Sequence, residues 1–263
     1  MKVPSYFKDF LKLIRPQDRD VYINAHKELR ALLEQDDSIR EFYVDTFLQG
    51  SYRRATAIEP EAGKKGDVDV VLVTTLDHHN LTPRQAINRF TAFLDKHYKG
   101  RWEPQTRAIK IECDDIDLDL VITAIPKEEE KNYRGSKLAE SYVTPDDEDE
   151  TWDEYRKLAE SAGSWKLTPL KIPDRAIKNW EDTHPLEQLI WTWAKNASCQ
   201  RNYVNVVKVL KYWKRHKLPI PKYPRAYPLE HLIGVHCPDD IESVAEGVTA
   251  VLESIARSYM ARG

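Results

Sequence analysis

An α+β fold, a mixed sheet with flanking helices followed by a helical second lobe, is predicted by three observations. Two short segments, Asp67-Val68-Asp69-Val70-Val71-Leu72-Val73 and Ile116-Asp117-Leu118-Asp119-Leu120-Val121-Ile122, alternate carboxylates with apolar residues at the period of a strand. Residues 17–38 set Val21, Leu29, Leu32 and Leu33 among many charges, the pattern of a long amphipathic helix. From about Thr168 onward the spacing is helical, with segments near 185–197, 202–216, 228–235 and 239–260.

The elements follow in order. Residues 41–48 read as a strand that ends in a Gly50-Ser51 turn, and 67–75 as a central strand. Residues 82–98 read as one helix with Ile87, Phe90, Phe93 and Leu94 on its apolar face. Ile109 and Ile111 precede a turn at Cys113-Asp114-Asp115, after which the second acidic strand begins. Residues 127–155, rich in Glu, Asp and Lys, read as a solvated loop. The expected division is a lobe over 1–165 that includes the N-terminal helix, and a helical lobe over 166–263, with a cleft between them.

At 263 residues the chain is long enough for two sizeable cores, and 41% hydrophobic with 32% charged residues is the balance of a soluble globular protein. A net charge of −3 argues against stable nucleic-acid binding, which calls for a basic surface. No apolar run approaches the roughly 20 residues that span a bilayer, and the N-terminus lacks an apolar signal core, so a cytoplasmic protein without membrane contact is expected. Three cysteines are too few for a disulfide framework. Cys199, His236 and Cys237 contain ligand types for zinc but lack the paired Cys-x-x-Cys spacing, which leaves a zinc site open.

Chemistry concentrates on the two acidic strands. Residues i and i+2 of a strand share a face, so Asp67 and Asp69 point one way while Val68, Val70 and Leu72 point the other. Like charges side by side on a buried strand repel and are poorly solvated, a cost that a divalent cation would relieve. Asp117 and Asp119 share a face in the same way. Two carboxylates from one strand and one from its neighbour suit a pair of Mg2+ ions about 3.5–4 Å apart, with substrate phosphates completing the shell. The chemistry suggested is attack of a hydroxyl on the α-phosphate of a nucleoside triphosphate, with pyrophosphate leaving. Spacing alone does not choose between Asp117 and Asp119. On the helix near 202–216, Lys208, Lys211 and Arg215 form a basic stripe beside an apolar stripe of Val206, Leu210 and Trp213.

The run Gln49-Gly50-Ser51-Tyr52-Arg53-Arg54-Ala55-Thr56-Ala57-Ile58, then Asp67-Val68-Asp69, then Asp119, resembles the polymerase-β-like nucleotidyltransferases. Within them it is most similar to the bacterial relatives of cyclic GMP-AMP synthase and oligoadenylate synthetase, the cyclic-oligonucleotide synthases of antiphage signalling. The segments His184-Pro185-Leu186-Glu187-Gln188-Leu189-Ile190, Asn205 to Lys214 and Tyr227-Pro228-Leu229-Glu230-His231-Leu232 resemble the same branch.

The resemblance implies a polymerase-β-like lobe in which the helix of 17–38 is a spine, and a catalytic and metal-binding set of Asp67, Asp69 and Asp119. Asp119 would ligate one ion and help to orient or deprotonate the acceptor hydroxyl, with Asp117 at the edge. Two ions of Mg2+, or Mn2+ in its place, are the implied cofactors. Gln49, Gly50, Ser51, Lys208, Lys211, Arg225 and Tyr227 are the implied nucleotide-binding residues, Lys211 reaching the triphosphate and Tyr227 stacking on the donor base. Ala226 stands where the family often has a Ser, and Arg225 is the compensating candidate. ATP or GTP would be substrates and a cyclic di- or trinucleotide the product, read by a downstream effector; a regulatory protein partner fits the family. The alternatives are a linear oligonucleotide synthase, a transferase acting on RNA or a small molecule, and a degenerate nucleotide-binding scaffold.

Overall fold

The computed structural model describes residues 3–126, 128, 169–218, 224 and 226–260. Apart from residue 128, the acidic stretch expected as a loop lies outside the described residues, as does the boundary expected at 165–166. The chain forms two compact units. One comprises residues 18–49 and 63–188; the other is assembled from 1–17, 50–62 and 189–263.

The first unit is built on a mixed sheet. Its strands are β1 (Tyr43–Gln49), β2 (Gly66–Thr74), β3 (Trp102–Pro104), β4 (Ile109–Glu112) and β5 (Ile116–Ala124), in the order β1-β2-β5-β4-β3. The β2–β5 pair is parallel and the others are antiparallel. Both acidic segments therefore become central strands. Their downstream halves are buried on both faces, which explains the runs Val70–Val73 and Leu120–Ala124. On the carboxylate face, Val71, Val73 and Val121 pack with Val44, Phe47 and Ile125, so one face is acidic at its start and apolar at its end.

Helix α2 (Arg19–Gln35), which follows α1 (Val3–Ile14), packs on β1, β2 and β5 through Tyr22, His26, Leu29, Arg30 and Leu33. Arg30 is anchored by the hydroxyl and carbonyl oxygens of Thr46, each at 2.9 Å. The close approach of α2 requires Gly66: a Cβ there would lie 1.9 Å from the Tyr22 hydroxyl. The helix expected over 82–98 is two helices, α4 (Pro83–Asn88) and α5 (Thr91–His97), after the four-residue α3 (Gly50–Arg53). A capping box between Thr82 and Gln85 starts α4, and the turn at Arg89-Phe90 lets Phe90 bury completely beside Phe93 and Leu94.

The helical pattern expected from about Thr168 begins only at Pro185. Before it, β6 (Leu170–Asp174) and β7 (Asn179–Thr183) form a hairpin, with β6 pairing to β5 at Ala124. Pro173 and the polar run Asn-Trp-Glu-Asp-Thr obscure the strand period, as is common at sheet edges. Asp174 closes the turn by accepting from the amides of Ala176 and Ile177, and Lys178 takes φ 57°.

In the second unit, α6 (Pro185–Ser198), α7 (Tyr203–Lys217), α8 (Ala226–His236) and α9 (Val244–Met260) realise the four expected helical segments, although α6 begins in the first unit. Val206 and Leu210 of α7 are core residues, as read from the sequence; Trp213, expected beside them, is 42% exposed. Helix α1 also belongs here, with Phe10 edge-on to Tyr212 at 5.1 Å between ring centres. Among the described residues no helix is long and apolar enough to cross a membrane.

Candidate active site

In the first unit, strand register assembles the acidic candidates. Asp69 lies opposite Asp119 across the parallel β2–β5 ladder, and Asp67 opposite Asp117. On the outer flanks Gln49 of β1 pairs with Asp69, and Lys110 of β4 with Asp119. Gln49, Asp69, Asp119 and Lys110 thus form a row across four strands, with Asp67, Asp117 and Glu112 in the row beside it.

The carboxylates differ in environment. Asp67 is exposed, while Asp69 and Asp119 are half-buried. Burial, reinforced by the negative charges of Asp67 and Asp117 and only partly offset by Lys110, pushes the Asp119 carboxyl up to about 6. Asp117 instead has a structural partner, the Lys110 ammonium at 3.0 Å, which also reaches Glu112 at 3.4 Å. Through these contacts the Lys110 ammonium is held above its usual value. Geometry therefore separates the two aspartates that spacing left equivalent. Lys110 escaped the sequence reading; its only signal is the polar interruption in Ile109-Lys110-Ile111.

Oxygen donors on one rigid face, one of them destabilised in its charged form, are a donor set that suits a hard divalent cation. Among the described residues, no three His, Cys, Asp or Glu side chains are drawn together as a ready ligand cluster. Asp67, Asp69 and Asp119 share a face and two adjacent register rows without converging on one point.

The second unit carries the turn and most nucleotide-binding candidates. Gly50 has φ 76°, a conformation that favours glycine, and Ala55 follows at φ 59°, so the short α3 is bracketed by two left-handed residues. The carbonyl of Ser51 accepts from the amides of Thr56 at 2.9 Å and Ala57 at 3.1 Å, which closes the turn. The basic stripe of α7 is not a solvated face. Lys208 is buried, the Lys211 ammonium donates to the Thr56 carbonyl at 2.9 Å, and Arg215 donates to the Glu59 carbonyl at 2.6 Å. Lys211 also pairs with Glu230 at 3.2 Å.

Tyr227 on α8 is half-buried, edge-on to Trp191 at 6.4 Å, with the Arg54 guanidinium 5.0 Å from its ring centre. Arg225 lies outside the described residues. The zinc candidates do not assemble: the Cys199 and Cys237 sulfurs meet at 3.9 Å, but the His236 ring contacts Ser254 at 2.9 Å.

Residues 1–162 match the Second Messenger Oligonucleotide or Dinucleotide Synthetase domain. The chain is 38% identical over 277 residues to a probable cyclic AMP-AMP-GMP nucleotide synthase of Salmonella paratyphi B, covering 97% of this chain and 73% of that protein. It is 37% identical to a cyclic AMP-AMP-GMP synthase of Enterobacter hormaechei, covering 99% of this chain and 74% of the relative. In fold it is similar to the CdnE cyclic dinucleotide synthase of Elizabethkingia meningoseptica, with a TM-score of 0.66 at 13% identity, over 100% of this chain and 87% of that one. The sheet, the carboxylate rows and these likenesses agree, and the chain belongs to the second messenger oligonucleotide or dinucleotide synthetase family, the bacterial cyclic GMP-AMP synthase-like nucleotidyltransferases.

Proposed function

We propose that this protein joins ATP and GTP into a cyclic trinucleotide, releasing one pyrophosphate for each phosphodiester formed, as the signal-generating enzyme of an antiphage response. The trinucleotide product is supported by the two relatives above 35% identity, both named as cyclic AMP-AMP-GMP synthases. The observation that carries the chemistry is the register that sets Asp69 opposite Asp119, with Asp67 two residues before Asp69 on the same face.

In this reading Asp67, Asp69 and Asp119 hold two Mg2+ ions. Bound ions would neutralise charge on the reacting phosphate and favour the ionised acceptor hydroxyl. Asp119 orients that hydroxyl towards the α-phosphorus and takes up its proton, the hydroxyl oxygen bonds to phosphorus, the bond from that phosphorus to the bridging oxygen breaks, and pyrophosphate departs. Gly50 and Ser51 supply the phosphate-binding turn, Gln49 borders it, and Lys208, Lys211 and Arg225 add positive charge for the triphosphate. Tyr227 offers the aromatic face for a base. A regulatory protein partner and an effector that reads the product complete the proposed system.

The test is incubation of the purified protein with isotopically labelled ATP and GTP, singly and together, with Mg2+ or Mn2+, followed by mass spectrometry. A cyclic product containing both bases is the expected result. A linear oligonucleotide would convert the reading to its closest rival, and transfer to RNA alone would overturn it.

A further inference from the structure

The Glu230 side chain is completely buried, yet the relatives' names and the metal chemistry give it no task. Its carboxylate is bound by two cations: Arg54 Nε donates at 2.9 Å and Lys211 Nζ lies at 3.2 Å. The Arg54 side chain is itself only 4% exposed and the Lys211 side chain 16%. Burial alone would raise the Glu230 carboxyl, but Lys211, Arg54 and Thr56 together hold it below its ordinary value, so it is a buried anion. A buried charge of this kind costs stability unless every oxygen is satisfied, and breaking such a group leaves its partners stranded.

Both cations lead to the same stretch of backbone. Arg54 is the residue after α3, and its amide donates to the Gly50 carbonyl at 3.1 Å. Lys211 also holds the carbonyl of Thr56, the residue after the left-handed Ala55. Left-handed geometry at a residue with a Cβ is unfavourable by itself and persists where surrounding contacts over-determine it. The contacts here converge on one carboxylate. Glu230 is fixed in turn, since α8 is tied to α7 by the Tyr203 hydroxyl, which donates to the Glu230 carbonyl at 2.7 Å.

We propose that Glu230 is a positioning residue for the phosphate-binding turn: by clamping Arg54 and Lys211 it holds residues 50–57 in the shape that receives a nucleoside triphosphate. It touches neither substrate nor metal. The inference rests on the nucleotidyl-transfer reading for the identity of the ligand.

The experiment compares wild type with Glu230→Gln and Glu230→Asp, reading amide hydrogen exchange at 54–57, equilibrium affinity for ATP, and the KM and kcat of product formation. Glu230→Gln keeps the size and one acceptor but loses the charge. Its amides at 54–57 should exchange about ten-fold faster or more, and its ATP affinity should fall about ten-fold, with KM rising in step while kcat stays within about three-fold. Glu230→Asp should recover part of the affinity.

A folded Glu230→Gln with wild-type exchange at 54–57, or with faster exchange but unchanged affinity and KM, overturns the proposal. If Glu230→Gln does not fold, Lys211→Met carries the exchange measurement alone, because it keeps the Arg54–Glu230 pair while taking the ammonium away from both the Thr56 carbonyl and Glu230. Faster exchange at Thr56 and Ala57 in that variant supports the clamp; unchanged exchange sinks it. Failure of the underlying reading looks different: wild type itself would neither bind ATP nor form product, and the clamp assignment would fall with it.

Discussion

Asp69 and Asp119 stand at the same register on neighbouring parallel strands, flanked by Gln49 on one side and Lys110 on the other. Sheet pairing alone produces this arrangement, so the relative placement of the two carboxylates is set by rigid backbone rather than by a mobile loop. Half-buried aspartates on central strands are poor for stability and well suited to a precisely placed charge.

Asp119 and Asp117 should respond in opposite directions when neutralised. Asp119→Asn removes a carboxylate that burial and Asp67 disfavour, so without divalent ions the variant should melt above wild type while product formation falls by several decades. Asp117→Asn breaks the pair with Lys110, should melt slightly lower, and should keep substantial activity. Calorimetry in chelator and a pyrophosphate-release assay check both; the reverse activity ranking would assign the third catalytic carboxylate to Asp117.

Replacing Asp67 and Asp69 together by Asn should eliminate turnover and also the rise in melting temperature that Mg2+ or Mn2+ gives the wild type. The second readout needs no substrate. A double variant that is folded and still stabilised by the ions would show that the metal is held elsewhere.

Gly66→Ala tests the approach of α2 to the sheet. The new methyl would sit 1.9 Å from the Tyr22 hydroxyl oxygen and 2.7 Å from its ring carbon, so the buried Tyr22 must shift. An overpacking cost of about 1–3 kcal/mol is expected in chemical denaturation. Tyr22→Phe in the same chain should recover part of it, because the nearest clashing atom is gone.

Acid sensitivity should centre on Asp36. Its side chain is 2% exposed and would be raised by burial, but Lys96, the Ser38 hydroxyl and amide, and His97 together hold it well below the usual carboxylate range. A depressed carboxyl supports the fold fully above its unfolded value, near pH 4, and loses that support as the pH falls through the lower folded value. Asp36→Asn should therefore be less stable than wild type at pH 7 by about 1.5–3 kcal/mol, the worth of a hydrogen bond to a charged group. The difference should shrink steadily below pH 4. A gap of constant size down to pH 2 would remove Asp36 from the account.

The central strands are readable because carboxylates alternate with apolar residues at Asp67–Val70 and Ile116–Leu120, and the unbroken apolar runs that follow mark strands buried on both faces. The β6–β7 hairpin is not, since Pro173 breaks the period and β7 is polar on both faces. Helix α1 was overlooked, although Phe7, Phe10, Leu11 and Ile14 are spaced along one face. At the site, spacing singles out the acidic residues but leaves Asp117 and Asp119 alike, and their difference in environment, an ion pair with Lys110 for Asp117 and burial for Asp119, appears only in three dimensions. The engagement of Lys211 and Arg215 with backbone carbonyls of 56–59 could not be foreseen, because a basic stripe looks the same in sequence whether it meets water or the chain.

Arg54 and Glu230 are 176 positions apart in the chain, and Thr56 and Lys211 are 155 apart. A fragment that stops at residue 162 would retain every candidate metal ligand and still lack both groups that brace the turn. Chimaeras between relatives face the same constraint, since a C-terminal segment borrowed from another protein must bring a carboxylate and an ammonium that fit this arginine and this carbonyl. Exchange of parts within the family is thereby coupled across the crossover point, and the residues after the Gly-Ser turn should change during evolution only in concert with those on α7 and α8.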